Sequence, residues 1–333
     1  MINLVRFLMV TSQFLWTSIA ISQELIFKNA QDELYGQFLA PFENQTSKAT
    51  LIFVHGDGPM DHEAQGYYPF IWNQLRQEGF AIFSWDKPGI GKSSGNWLNQ
   101  SMRDRQNEVQ AAIATLKQHK LNANGKIGVI GFSQAGWIIP PILARNNQID
   151  FAIGIGFATS WIEQGQYYTR TKYRLNHEQT EADLALKRLD SQIQFLNSAP
   201  SYDAYLKFET GDPMSQDRFN FVLKNFKSDS LHYYANISQP MLVLWGDSDL
   251  NVDGQSELHK IANTLPQNSN IRLDFIPNAG HAMLNSKVFD TQKFTLWQWL
   301  TLMWQEEDAL APEFMPRVIG WLNNQVKQRK STD

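Results

Sequence analysis

The sequence contains no cysteine among its 333 residues. A disulfide framework is therefore excluded, and so are a cysteine nucleophile and thiolate metal ligands. An excess of charge is also missing, because 29 basic and 33 acidic residues leave a formal net charge of -4. No cluster of lysine and arginine stands out, so nothing indicates a nucleic-acid partner. The 43% of hydrophobic residues, against 19% charged ones, suffice for a large folded core.

The first 22 residues carry one basic side chain, Arg6, followed by an apolar stretch from Phe7 to Ala20. The stretch is short and interrupted by polar residues, which favours an export signal over a membrane span. Small residues at Ala20 and Ser22 predict cleavage before Gln23. We therefore expect an exported protein, periplasmic or secreted, without stable membrane insertion after the signal is removed. An uncleaved anchor and a buried first helix are the alternatives.

Short apolar runs, typical of buried strands, alternate with longer helical patterns. A hairpin is predicted at 24–39, and buried strands at 49–54, 80–85, 127–130, 151–155, 241–245 and 271–276. Helices are predicted at 68–77, 102–120, 134–145, 255–264 and 314–327. This alternation predicts an α/β fold, a mostly parallel eight-stranded sheet with helices on both faces.

One segment, 160–236, interrupts the alternation because it holds helix-like patterns and no convincing strand. We interpret it as a helical lid or cap insertion between two parts of one core, 23–159 and 237–333. An extra helix is predicted at 294–304, ahead of the last one.

Ser133 is the candidate nucleophile, because Gly131-Phe132-Ser133-Gln134-Ala135-Gly136 directly follows a strand and opens a helix. Serine chemistry needs the hydroxyl on a sharp strand-to-helix turn flanked by small residues. The helix that follows directs free N–H groups towards a developing oxyanion. The alternative is an ordinary loop serine that caps a helix.

Two further loops supply partners for a serine. Asp247 and Asp249 follow the strand at 241–245, where a carboxylate can orient a histidine. Both can equally be turn residues. His281 follows the last predicted strand in a glycine-containing loop, from which it can act as general base. The chain order serine, aspartate, histidine is the order of the α/β-hydrolase fold.

The turn His55-Gly56-Asp57-Gly58-Pro59 follows the strand at 49–54. Its Asp57 N–H, or alternatively that of Gly56, can complete an oxyanion hole with the Gln134 N–H. His55 is interpreted as a structural hydrogen-bonding residue. Three aromatic residues are candidates for the substrate pocket, with plain core packing as the alternative: Trp137, Tyr67 and Trp161.

Together these motifs resemble the α/β-hydrolase superfamily over residues 24–329, and within it bacterial exported esterases related to the acyl-CoA thioesterase and dienelactone hydrolase groups. The turn at 55–59 resembles His-Gly-Ser-Gly-Pro, and 86–93 resembles Asp-x-Arg-Gly-x-Gly-x-Ser with proline in place of arginine. The stretch 131–137 resembles Gly-His-Ser-Gln-Gly-Gly-Trp. The stretch 246–252 resembles Gly-x-x-Asp-x-x-Val, which implies Asp249 as the acid.

The resemblance implies a serine hydrolase that cleaves carboxylic esters or thioesters through a Ser133–His281–Asp249 triad. Its expected partner is a small-molecule acyl substrate, and no cofactor or metal is expected. A peptidase or amidase of the same fold is an alternative, with Glu163 as a carboxylate that could receive a free amino terminus. A non-catalytic binding protein on this scaffold is the other alternative.

Overall fold

The computed structural model describes residues 22–42, 46–122, 125–145, 148–175 and 179–327. The predicted export signal, apart from Ser22, lies outside these ranges. Ser22 itself begins the first strand. None of the described helices combines the length and apolarity that crossing a bilayer requires.

Eight strands form one sheet, and every strand predicted from the sequence is present. They are β1 (Ser22–Asn29), β2 (Asp32–Leu39), β3 (Thr50–Val54), β4 (Ala81–Trp85), β5 (Ile127–Phe132), β6 (Phe151–Ile155), β7 (Met241–Gly246) and β8 (Ile271–Ile276). Their order in the sheet is β1-β2-β4-β3-β5-β6-β7-β8. Only the β1–β2 and β2–β4 pairs are antiparallel, and the others are parallel. The predicted α/β-hydrolase fold is confirmed.

Ten α-helices lie within the described ranges. They are α1 (Pro69–Gln77), α2 (Met102–Gln118), α3 (Ile139–Leu143), α4 (Trp161–Leu175), α5 (Gln179–Asn197), α6 (Tyr202–Phe208), α7 (Gln216–Asn225), α8 (Gly254–Thr264), α9 (Leu296–Gln305) and α10 (Phe314–Lys327). The helices α4 to α7 occupy the predicted insertion, and its role as a lid stays a prediction.

The sheet is covered on both faces, because alternate residues of each central strand enter different cores. In β7, Met241, Val243 and Trp245 pack into one core with residues of α2 and α8. Leu242 and Leu244 pack into the other with residues of α1 and α10. Successive strand side chains point to opposite faces, so a strand covered on both sides is apolar throughout.

The helix predicted at 134–145 is divided, which corrects the sequence-based expectation. A 3₁₀ helix, Ser133–Trp137, is followed by the five residues of α3. Pro140 and Pro141 explain the break, because each lacks the N–H that would bond to the residue four positions earlier. The other predicted helices are present within a few residues of their expected bounds.

Gly246 is where β7 approaches the loop that carries His281. A Cβ at this position would lie 2.1 Å from the Ala279 carbonyl oxygen and 2.6 Å from that of Gly280. Both contacts are to backbone, which cannot rotate out of the way. We expect Gly246→Ala to lower the free energy of unfolding by about 1–3 kcal/mol.

Gly320, exposed in α10, provides a matched control, since a Cβ there would meet nothing within 4 Å. Gly320→Ala should raise the free energy of unfolding by about 0.5–1 kcal/mol, because alanine loses less entropy in a helix. Chemical denaturation measures the free energy of unfolding of both variants. Equal stability of Gly246→Ala and wild type would contradict the close approach.

Candidate active site

Ser133 occupies the sharp turn at which β5 ends and the 3₁₀ helix begins. Its φ angle is 49°, in the left-handed region that few residues other than glycine adopt. A Cβ at Gly131 would lie 2.8 Å from the Ala135 methyl, so the two sites have room for one methyl only. The Ala135 methyl fits because residue 131, which faces it, is a glycine. A strained serine at a strand-to-helix turn is the geometry of a nucleophile elbow.

Asp249 follows β7 and is 6% exposed. Its Oδ1 accepts hydrogen bonds from the backbone N–H groups of Asn251 at 2.7 Å and Val252 at 2.9 Å. Its Oδ2 lies 2.8 Å from Nδ1 of His281. The carboxylate is thus held on one side and orients the imidazole on the other. Asp247, the competing candidate, is exposed and accepts a hydrogen bond from the Ser248 hydroxyl.

His281 is 20% exposed at its side chain and faces two opposing influences on its pKa. Burial lowers the pKa, whereas the charge and hydrogen bond of Asp249 raise it by more. The pKa of His281 therefore lies above its ordinary value of 6.5. The carboxylate at Nδ1 keeps a proton on that nitrogen, which leaves Nε2 as the basic atom.

Ser133 and His281 line the same cavity. Among the described residues, no hydrogen bond joins the Ser133 hydroxyl to the His281 imidazole. The hydrogen bond that the imidazole does form is the one to Asp249. In hydrolases without substrate such contacts are often long and tighten on binding. The structure thus brings the three predicted triad residues to one site, as a bonded Asp249–His281 pair and a serine that shares its cavity.

The turn after β3 passes beside the serine, since a Cβ at Gly56 would lie 3.3 Å from that of Ser133. The two predicted oxyanion residues meet through their side chains, because Gln134 Nε2 donates to Asp57 Oδ1 at 3.0 Å. Within the described ranges, neither the Asp57 nor the Gln134 backbone N–H finds an acceptor in the protein. Of the two residues, Asp57 lines the cavity, whereas Gln134 is 3% exposed and is not part of the lining.

Two buried basic side chains, Lys87 and Arg105, donate hydrogen bonds to carbonyl oxygens of this turn. Lys87 is 1% exposed, and its Nζ donates to the carbonyl oxygens of Gly56 at 2.6 Å and Gly58 at 2.8 Å. Burial lowers the pKa of Lys87 well below its ordinary range, and the amine has enough protons for both carbonyls whether or not it is charged. Arg105 donates to the His55 carbonyl oxygen at 2.8 Å and to Gln134 Oε1 at 2.5 Å.

His55 itself is buried and stabilises the turn through both ring nitrogens. Its Nε2 lies 2.7 Å from the Trp85 carbonyl oxygen, which only accepts, so Nε2 carries the proton. Its Nδ1 then accepts from the Tyr68 hydroxyl at 3.2 Å. Burial lowers the pKa of His55 to about 3, so the ring is neutral at ordinary pH.

Arg218 connects the helical insertion to the same turn. Its guanidinium donates to both carboxylate oxygens of Asp57, at 2.9 and 3.3 Å. Burial raises the pKa of Asp57, but Arg218 lowers it by more, so the carboxylate is ionised. The sequence analysis did not predict that Arg218, Lys87 and Arg105 bind this turn. Lys87 at least lies in the glycine-rich loop at 86–93, whereas Arg105 and Arg218 lie on distant helices with no local signal.

The shared cavity has a volume of about 350 Å³ and a mostly apolar wall. Besides Ser133, His281, Gly56 and Asp57, its lining includes Tyr67, Phe132, Leu284, Phe294, Trp299 and Leu302. Of the three aromatic pocket candidates, the structure places only Tyr67 here. Trp137 and Trp161 stack on each other with ring centres 4.9 Å apart, outside the cavity lining. Trp161, the first residue of α4, instead packs against other residues of the helical insertion.

Comparison with solved structures agrees with the fold described above. An esterase of Pyrococcus furiosus, Pf2001, is 17% identical, with a TM-score of 0.56 over 92% of this chain and 91% of its own. A proline iminopeptidase of Mycobacterium smegmatis is 15% identical, with a TM-score of 0.57 over 92% and 99%. Est1E of Butyrivibrio proteoclasticus, solved with ferulic acid, is 14% identical, with a TM-score of 0.55 over 91% and 100%. Similarity at this level supports the fold.

The comparisons support the α/β-hydrolase fold for this chain. Residues 45–207, just under half of the chain, match the family model described as serine aminopeptidase, S33. The match ends before β7 and therefore contains Ser133 but neither Asp249 nor His281. No curated protein sequence matches the chain significantly.

The Asp249–His281 contact predicts how the imidazole titrates. In wild type, its pKa should lie above 6.5, because Asp249 outweighs burial. In Asp249→Asn only the effect of burial remains, so the pKa should fall below 6.5. Nuclear magnetic resonance of the histidine ring protons over a range of pH measures the His281 pKa in both proteins. The variant His281→Gln assigns the signal. His55 serves as internal control, since it should stay neutral. An unchanged His281 pKa in Asp249→Asn would refute the interpretation.

Proposed function

We propose that this protein is a serine hydrolase that cleaves small or medium carboxylic esters, or thioesters, through an acyl-enzyme intermediate. One observation carries the proposal. Ser133, with a left-handed backbone conformation at the end of β5, lines the same cavity as His281, and His281 is hydrogen-bonded to Asp249. A structural serine that merely caps a helix has no need of a strained backbone or of an oriented imidazole nearby.

The proposed reaction has two steps. Ser133 Oγ attacks the carbonyl carbon while His281 Nε2 takes the hydroxyl proton, and Asp249 stabilises the imidazolium. His281 then gives that proton to the departing alkoxide or thiolate, which leaves an acyl-serine. Water attacks this ester with His281 again as base, and the carboxylic acid and free serine result. The N–H groups of Asp57 and Gln134 bind the oxyanion in both steps.

The charges of the site favour esters over peptides with a free amino terminus. An aminopeptidase needs a carboxylate that is free to bind the substrate ammonium group. Among the described residues of the cavity lining, Asp57 is the one carboxylate, and Arg218 and Gln134 already engage it. Glu163, the other candidate, lies on α4, outside this lining, and pairs with Lys260 at 2.5 Å. The family match keeps a peptidase as the second candidate.

Ser133→Ala should lower kcat for p-nitrophenyl esters by about a millionfold, as loss of a triad nucleophile does. It should also abolish labelling by a fluorophosphonate probe. Wild type should hydrolyse the esters much faster than aminoacyl-anilides. The reverse preference would favour the peptidase. A wild-type protein that neither labels nor hydrolyses either substrate class would leave the non-catalytic binding alternative in place.

Lys87→Met tests whether the buried Lys87 side chain positions the turn at 55–59 that carries the proposed oxyanion donor. The change leaves two buried carbonyls without a donor, so the Asp57 N–H loses its fixed direction. We expect kcat for esters to fall up to about a hundredfold, less than for a lost oxyanion donor, with KM nearly unchanged. Thermal unfolding of the same sample separates this effect from loss of folded protein. Full kcat in a folded Lys87→Met variant would contradict a positioning role.

A further inference from the structure

The helix α9 presents an apolar face to solvent. Its residues Leu296, Trp297, Leu300, Met303 and Trp304 are 73%, 77%, 52%, 52% and 83% exposed. Their spacing places them on one side of the helix. From Phe294 to Trp304 the chain carries no charged residue. Scattered exposed apolar residues are normal, but a contiguous patch of this kind marks an interaction surface.

The exposed face belongs to a helix that is firmly held. Thr295 and Gln298 form a reciprocal capping box at its start. On the opposite side Leu302 is 1% exposed and Trp299 packs against the same core, and both line the candidate active-site cavity. The helix therefore has an inner apolar face that the fold already buries. The outer apolar face makes no contribution to the core of the folded chain.

We propose that the outer face of α9 is a self-association surface, at which two copies of this chain pair around a two-fold axis. The area fits a second copy. At roughly 200 Å² for a large side chain, the five exposed fractions amount to about 700 Å². A stable protein interface buries about 800 Å² on each partner, which this face and its rim would supply. Its two tryptophans are also the residue type that dominates binding energy at interfaces.

Charges at the two ends of the helix favour an antiparallel arrangement. Lys293 precedes the helix, and Glu306, Glu307 and Asp308 follow it. In the part of the chain that the structure describes, Lys293 and Glu306 are exposed and form no ion pair. Antiparallel pairing places Lys293 of each copy beside the acidic end of the other, whereas parallel pairing places like charges together. Such rim charges set orientation more than affinity.

The same acidic end argues against an anionic lipid surface as the occupant. Amphipathic helices that bind membranes carry lysine and arginine on their polar face. Here three carboxylates follow the helix directly, and they would be repelled by anionic headgroups. A second copy satisfies both the apolar face and the charges around it.

Sedimentation velocity of the full chain over a range of concentrations tests the proposal. Wild type should be a dimer of 38.3-kDa chains. The double variant W297E/W304E should raise the dimer dissociation constant by on the order of a hundredfold or more. Leu184→Glu, at a 45% exposed leucine of α5, is the matched control and should leave the dimer intact. Circular dichroism melts confirm that each variant is folded.

A charge reversal tests the orientation. Lys293→Glu should weaken the dimer, and the double variant K293E/E306K should restore it. Failure of this rescue would overturn the antiparallel arrangement. A wild-type monomer at every concentration, or a dimer unaffected by W297E/W304E, would overturn the proposal. So would a monomer that floats with phosphatidylcholine vesicles through Trp297 and Trp304, which would assign the face to lipid. None of these readings depends on hydrolytic activity.

Discussion

Parallel pairing of the central strands determines where the polar loops of this chain meet. In a parallel sheet the carboxyl ends of neighbouring strands lie at the same edge, so residues far apart in sequence come together there. The turn after β3, the serine after β5, the aspartate after β7 and the histidine after β8 all follow this rule. Any shift in register would separate Ser133 from the Asp249–His281 pair, and the candidate site would be lost.

At this edge of the sheet the backbone of Ser133 is strained, and neighbouring residues have to stabilise it. A left-handed serine stores backbone strain, which persists only when the surroundings over-determine it. Here Gly131 and the buried Ala135 pack closely under the turn. The turn after β3 is held in a comparable way, because Lys87 and Arg105 donate hydrogen bonds to its carbonyl oxygens. These bonds fix the peptide planes of the turn, and so the direction of its N–H groups, before any ligand binds.

The sequence was sufficient for the strands and for the loops that follow them, because continuous apolar runs and glycine-rich turns are local signals. Each of the eight predicted strands is present, Ser133 and His281 line one cavity, and Asp249 is hydrogen-bonded to His281. The divided helix after Ser133 was also readable in principle, from Pro140 and Pro141. The contacts from distant helices to the turn at 55–59 could not be predicted, since nothing near Arg105 or Arg218 in sequence indicates the turn that each of them binds.

The aromatic residues illustrate the same limit. Tyr67, Trp137 and Trp161 are equivalent as sequence features, yet only Tyr67 reaches the cavity, while the two tryptophans stack together elsewhere. The cavity wall is completed instead by Phe294, Trp299 and Leu302, from α9 and the loop before it. A helix with two apolar faces reads in sequence as an ordinary buried helix. Only the structure distinguishes the face that the core covers from the face that is left exposed. An exposed tryptophan face next to the candidate active-site cavity has a physical reason to be covered by a partner, because contiguous apolar surface in water is unfavourable.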